Sequence, residues 1–409
     1  MADGCLSDIQ LFTPAMRDNP YPFYAWLRAE QPVYFDAEHG FWLISRYADV
    51  AAALHDPRLL SSRDDALATL KEVGDEDLNV VYAAVADMTL FCDPPKHTRL
   101  RGLMQKAFAP KALTMMHRQI KLLIDELLDP IVPTGQLDLI NDFAIPLPMF
   151  VISHMLGVRR EDRSLFQQWT QDFNTFTGKV NTNAEENDRT VRSMQAMFAY
   201  FRQRIGELRT RPEPCLLSEL VAVEQQGDRL SEPELLANCV LLLSAGFETT
   251  AYFIGNAMLA LLQHPTQMRQ LREQPDLLVS AIEELLRFDS SVQFTGRMAA
   301  KDIEWQGHTI KEGQFVMLLM GSANRDAARF EHPDQLDLAR QDNKHLGFGY
   351  GPHFCLGAPL ARLEAQVAFP ELLRRLANPS IATDKLNWRD NFSERGLTTL
   401  PLKFSARHL

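Results

Sequence analysis

The stretch from Ser231 to Gln263 constrains this chain more than any other. Ser231-Glu232-Pro233-Glu234 is a capping box with a proline in the first turn, a clear helix start. The helical pattern continues to Gln263, where His264-Pro265 stops it. At a rise of 1.5 Å per residue that is roughly 50 Å of helix. Its first half is apolar on most sides, so it has to run through the middle of the molecule. The pattern is interrupted at mid-length by Ala245-Gly246-Phe247-Glu248-Thr249-Thr250. A glycine inside a helix costs about 1 kcal/mol relative to alanine. A carboxylate among apolar residues costs more unless it is paired or reaches water. The Thr249 hydroxyl can bond a carbonyl one turn back or yield that bond to a ligand, and Glu248 beside it can exchange protons with solvent. The pair reads as an acid–alcohol relay into a buried pocket, or else as a tight helix crossing at Ala245-Gly246 with Glu248 facing water.

A second stretch carries a different chemistry. Phe348-Gly349-Tyr350-Gly351-Pro352-His353-Phe354-Cys355-Leu356-Gly357 places one cysteine in a loop dense in glycine and aromatics. A helix begins at once with Ala358-Pro359, so Cys355 lies just ahead of a helix N-terminus, which favours a thiolate. The three glycines permit close backbone approaches. Such a loop suits one axial ligand to a haem iron; it equally suits a buried structural cysteine after a tight turn. The five cysteines (Cys5, Cys92, Cys215, Cys239, Cys355) form an odd, scattered set with no Cys-x-x-Cys pair. That argues against a disulfide scaffold and for a reducing cytoplasm.

Lys plus Arg number 42 against 53 Asp plus Glu, a net charge of −11 that argues against a general nucleic-acid binder. Met1 to Pro22 shows no signal-peptide pattern, and no run approaches the ~18 uninterrupted apolar residues of a spanning helix. The expectation is a soluble cytoplasmic protein that binds neither membrane nor nucleic acid. It is mainly α with a minor β region, a single domain over 1–409 with residues 1–19 poorly structured.

Along the chain, a helix is expected from Pro20 to about Ala29, then a hairpin of Val33–Phe35 with Phe41–Ile44, then a helix over Tyr47–His55. Leu59 to Leu90 has a poor pattern and is expected to be partly helical and mobile. Helical spacing follows over His97–Phe108, Lys111–Leu128, Ile145–Leu156, Glu161–Phe176 and Asn187–Arg209, with a polar loop at Gly178–Glu186. Within the first of these His97 and Arg101 are four apart and share a face. Pro275–Phe288 is a further helix, Val292–Leu318 a small β region, Ala358–Leu376 the last long helix, and Leu397–Phe404 strand-like.

Taken together these residues resemble the cytochrome P-450 superfamily, in particular its soluble bacterial members. Phe348 to Gly357 matches the family's haem-ligand pattern F-G-x-G-x-H-x-C-x-G, and Ala245-Gly246-x-x-Thr249 its oxygen-activation pattern. Glu284-x-x-Arg287 matches the third signature, His97-Thr98-Arg99-Leu100-Arg101 its haem-edge helix and Asn324-Arg325-Asp326 its usual turn. The resemblance runs from about Pro20 to Leu400. Two departures stand out: Phe247 where histidine often precedes the acid, and Ser291 where proline is common.

The resemblance implies that Cys355 is the proximal thiolate of heme b (iron protoporphyrin IX), with Phe348, Gly349, Gly357, Ala245 and Gly246 against the cofactor. It also implies that His97, Arg101, Arg297 and His353 hold the two propionates. Glu284 and Arg287 take a structural role, and Glu248 with Thr249 delivers protons during activation of O2. The family's distal pocket maps to Leu90, Leu242, Leu243, Val292, Phe294 and Leu397, an apolar set that implies a largely apolar small organic substrate. Relatives with an Ala-Gly-x-Glu-Thr-Thr helix often hydroxylate or epoxidise polyketide, macrolide or terpenoid scaffolds of secondary metabolism. With no flavin or nicotinamide module, electrons come from a separate ferredoxin or flavodoxin and its reductase, for which Lys106, Lys344 and Arg362 are docking candidates. The same motifs permit oxidative coupling or desaturation without oxygen insertion, and a non-catalytic haem sensor.

Overall fold

The computed structural model describes residues 11–62, 76–107, 110–178, 182–225 and 230–406. The central helix runs over Glu232–Gln263. Its cap is as the sequence predicts: the Glu234 N–H donates to Ser231 Oγ at 3.4 Å, and the Ser231 N–H donates to Glu234 Oε2 at 3.0 Å. From Glu234 to Leu261 every residue is buried except Ala245, Gly246 and Thr249. The helices Asn79–Asp87, Pro146–Met155, Arg163–Gly178 and Leu278–Phe288 pack around it. Burial of this apolar rod supplies the main core. The same helix is long and apolar enough to cross a bilayer, but 78% of its apolar window is buried inside the protein.

The β region sits to one side. Strands Val33–Asp36 and Phe41–Ile44 form the expected antiparallel hairpin. The sheet continues through Phe315–Leu318, paired in parallel with Phe41–Ile44, then Thr295–Ala299 and Leu59–Leu60. A separate hairpin, Ile303–Trp305 with His308–Ile310, turns through Gln306 and Gly307 at φ 48° and 81°. Two positive φ values in a two-residue turn match the twist of the flanking strands, which is why glycine sits there.

Several expectations shift. Of the segment 1–19, residues 1–10 lie outside the described residues, but Pro14–Asp18 is a helical turn capped by Thr13, whose Oγ1 accepts from the Met16 N–H. In the poorly patterned stretch, 63–75 lie outside the described residues and Asn79–Asp87 is a regular helix. Helices Leu216–Gln225 and Pro265–Glu273 and the strand Leu376–Ile381 were not expected; each is short and bordered by a proline or a turn, so periodicity had little length to register. The tail strand begins at Pro401 rather than Leu397, pairing with Gln136–Asp138 and Leu376–Ile381.

Glu284 and Arg287, one turn apart, are both fully buried and joined by two hydrogen bonds of 2.8 Å. The remaining lone pairs and protons are all used. Arg287 Nη1 donates to the carbonyls of Asn324 and Pro333, while Glu284 accepts from Arg340, Asn343 and the Asp337 N–H. The pair therefore pins the irregular chain 324–343 that leads into the cysteine loop. Glu284→Ala strands a buried guanidinium and should cost about 3–5 kcal/mol, read as a lowered urea midpoint.

Candidate active site

Three elements meet around one cavity of 770 Å³ lined mostly by apolar side chains. The central helix contributes one face: Leu241, Leu242, Ala245, Gly246, Thr249, Thr250 and Phe253 all border the cavity. These positions recur at helical spacing, so the three unburied residues between Glu234 and Leu261 are unburied because they look into the cavity. Thr249 Oγ1 donates to the Ala245 carbonyl at 2.8 Å. A Cβ at Gly246 would sit 3.0 Å from Ile152 Cγ1 on the helix Pro146–Met155. The glycine thus serves a tight crossing and a cavity wall at once.

The cysteine loop forms the opposite wall. Gly349 and Gly351 adopt φ of 71° and 74°, and a Cβ at Gly351 would meet His55 Nδ1 at 2.8 Å, so the tight turn has no room for a side chain. The Cys355 N–H donates to the Phe348 carbonyl at 2.8 Å, closing the loop. Phe348, Gly349, His353, Cys355 and Gly357 all line the cavity. Burial pushes the Cys355 thiol up, against the N–H groups of Gly357 and Ala358 and the Arg101 charge, which pull it down. Burial outweighs the helix terminus, the reverse of the expectation from position alone; a bound cation would restore the thiolate.

The third group is two arginines and two histidines. Arg101, Arg297 and His353 border the cavity, and His97 lies behind His353 with ring centroids 4.1 Å apart. Arg297 comes from strand Thr295–Ala299, where its Nη1 donates to the Gly296 carbonyl. Burial, then the neighbouring positive charges, push His353 down to about 3. Burial and Arg101 push His97 down too, against the pull of Asp93. His97 Nε2 is buried without a hydrogen-bond partner. Two guanidiniums at a buried rim, beside an unpartnered imidazole nitrogen, suit an anionic ligand.

Other residues fall elsewhere than expected. Leu90, Val292 and Phe294 line the cavity, but Leu243 and Leu397 do not. Leu243 is fully buried in the main core because it projects about 100° around the helix from Leu242. Leu397 is buried in the same core, and its turn presents Phe392, Ser393 and Glu394 to the cavity instead. Glu248 is only 4% exposed and does not border the cavity; it faces Asn174 and Tyr252 rather than solvent. Burial pushes its carboxyl up.

Two carboxylates at the cavity escaped sequence reasoning. Glu364 is buried with both oxygens unpartnered, and burial pushes its carboxyl well above the usual carboxylate range. Its spacing from Leu360 and Ala368 on the last long helix is the signal that could have marked it. Glu394 lies in a polar turn with no periodicity to betray it. Of the docking candidates, Arg362 is paired with Glu283 through two contacts of 2.7 Å, Lys344 is exposed, and the Lys106 side chain lies outside the described residues.

A lone cysteine sulfur, a polycationic rim and an alcohol facing one apolar cavity define a haem-thiolate protein. The chain belongs to the cytochrome P-450 family, whose model matches residues 82–405. It is 39% identical over 402 residues to the polyketide biosynthesis cytochrome P-450 PksS of Bacillus subtilis, covering 95% of this chain and 96% of that one. It is 40% identical over 403 residues to the vitamin D(3) 25-hydroxylase of Pseudonocardia autotrophica, covering 97% and 96%. The crystal structure of CalO2 superposes with a TM-score of 0.91 at 32% identity, covering 97% of this chain and 98% of that one.

As a member of this family the enzyme binds haem, and the residues fit it: Cys355 would supply the sulfur ligand, and Arg101, Arg297, His97 and His353 would meet the two propionates. Bound there, haem supplies redox chemistry with O2. Arg101→Ala should weaken haem uptake by the haem-free protein about 10- to 100-fold, the worth of one charge-assisted hydrogen bond. Titration of the haem-free variant with haem, followed by absorbance, checks this.

Proposed function

We propose that this enzyme is a monooxygenase that places one atom of O2 into a largely apolar small molecule, by hydroxylation or epoxidation. The observation that carries the reading is Thr249: an alcohol, one of three unburied residues in the middle of the central helix, in the same apolar cavity as the Cys355 sulfur. Reducing the second oxygen atom to water consumes protons, and a cavity hydroxyl beside a buried acid supports their delivery. The chain's own residues do the rest. Leu90, Leu242, Val292 and Phe294 desolvate and orient the substrate, and the cationic rim holds the cofactor's carboxylates. Glu248 and Glu394 store protons out of reach of bulk water.

The substrate class we assign is a polyketide, macrolide or terpenoid intermediate of secondary metabolism. The relatives named for polyketide biosynthesis and vitamin D hydroxylation support a bulky apolar scaffold with few polar groups. Electrons come from a separate ferredoxin or flavodoxin with its reductase, in the cytoplasm. Lys344 is the exposed cation that such an acidic partner would meet, and reduction rates that fall with salt are expected. The direct test is turnover under isotopically labelled O2. Label in the product supports the reading; substrate oxidised or coupled with no label overturns it.

A further inference from the structure

We propose that Glu394 and Glu248 hold one proton between them, and that Glu394 hands it into the cavity on the side of Thr249. The proposal rests on the monooxygenase reading, since only a reaction that consumes protons needs such a store.

Glu248 adjoins Thr249 in sequence, yet its carboxyl is on the face of the central helix turned away from the cavity. The acid beside the alcohol therefore has no open path to it. The turn 389–396 is pressed onto that hidden face. Gly396 lies so close to Tyr252, one helical turn beyond Glu248, that a Cβ there would sit 2.3 Å from ring carbon Cδ1. The Arg389 N–H donates to the Gly396 carbonyl at 2.9 Å, and its guanidinium stands 5.4 Å from the centroid of the same ring. On the other flank the Gln293 N–H donates to the Ser393 carbonyl at 2.8 Å. Held on both sides, Glu394 forms part of the cavity wall, with Oε2 sealed from water and without a hydrogen-bond partner.

The charges do not balance unless a proton is kept. Two carboxylates, from the central helix and from the turn, face one guanidinium, that of Arg389, and the phenol of Tyr252. Arg395 is engaged elsewhere, with Asp289 at 3.0 Å and stacked 3.4 Å from the Trp388 ring centroid. Two ionised carboxylates would leave a net negative charge in a buried cluster, which burial and mutual repulsion both oppose. Both carboxyls are accordingly pushed up, by burial first. Such a pair titrates as a unit and holds one proton near neutral pH.

In the delivery step the Glu394 O–H bond breaks and its proton passes to a cavity water or the Thr249 hydroxyl, which passes its own proton forward. Both carboxyls are then ionised; Glu248 takes one proton from solvent past the half-buried Arg389 and passes it to the Glu394 carboxylate, which restores the starting state. The cluster goes from neutral to singly negative and back; no electrons move.

The test uses the haem-loaded enzyme with Glu394→Gln and Glu394→Asp. Glu394→Gln should lower product formation by about 100-fold at unchanged KM, the lower end of what acid–base participation supplies. It should also divert reducing equivalents to peroxide and abolish the alkaline limb of the pH profile; Glu394→Asp should recover most of the loss. Two readouts do not depend on turnover. The infrared difference spectrum between wild type and Glu394→Gln at neutral pH should show the loss of one protonated-carboxyl band, the contribution of Glu364 cancelling between the two proteins. Stability should fall with rising pH in the wild type, because a raised carboxyl stabilises only while it keeps its proton, and fall less steeply in Glu394→Gln. An unchanged infrared band, an unchanged pH profile, or Glu394→Asp as poor as Glu394→Gln overturns the proposal. A wild type that incorporates no labelled O2 overturns the monooxygenase reading instead, and the infrared band still reports the shared proton.

Discussion

Cys355→Ser should yield a folded protein with no measurable turnover. The loop is closed by main-chain bonds, the Cys355 N–H to the Phe348 carbonyl and the Gly349 N–H to the Leu346 carbonyl, both at 2.8 Å. None of these uses the sulfur. Serine is nearly isosteric, so the haem-free fold and the cavity persist, and the unfolding free energy of the haem-free protein in urea should stay within about 0.5 kcal/mol of wild type. The change falls on the ligand alone. A serine hydroxyl stays protonated near neutral pH and cannot donate electron density as a thiolate does. Haem content and turnover, measured side by side on purified protein, check this; a serine variant that still oxidises substrate at the wild-type rate contradicts the assignment.

Thr249→Ala is the second large effect. The hydroxyl donates only to the Ala245 carbonyl, which also belongs to the helix ladder, so its loss leaves no buried group unpaired and little stability is at stake. What is lost is a proton donor at the cavity wall, and general acid–base participation is worth about 10²- to 10⁴-fold. Product formation should drop by that order while electrons continue to be consumed and appear as peroxide. Thr249→Ser, which keeps the hydroxyl, should recover most of the activity. Product formed per electron consumed, compared across the three proteins, is the measurement; equal coupling in Thr249→Ala contradicts proton delivery at this residue.

The same comparison of residue and position explains what the sequence could and could not disclose. The central helix was legible because its cap, its apolar run and its proline stop are all local signals. The cysteine loop was legible because glycines are placed where the backbone permits nothing else. Helical spacing set Thr249 near the face of Gly246, and the family resemblance added Leu242, Leu243 and Ala245 to the pocket. Spacing said nothing of which face the cavity would take, so Leu243 was carried along although it projects into the core. Glu248 shows the deeper limit. Its neighbour faces the cavity, but a step of about 100° turns the acid behind the helix, and its surroundings come from a turn 140 residues later. Glu394 belongs to that turn, and only the folded chain sets the two carboxylates together. Leu397 was misplaced for the same reason: an irregular turn has no period from which to read a direction.

The account depends most on the Cys355 sulfur gripping the haem as an anion. The direct measurement is the absorbance spectrum of the purified, haem-loaded enzyme reduced under carbon monoxide. The account predicts the long-wavelength Soret band that a thiolate ligand produces, absent from Cys355→Ser. A wild-type spectrum with the shorter-wavelength band of a neutral nitrogen or thiol ligand would contradict it.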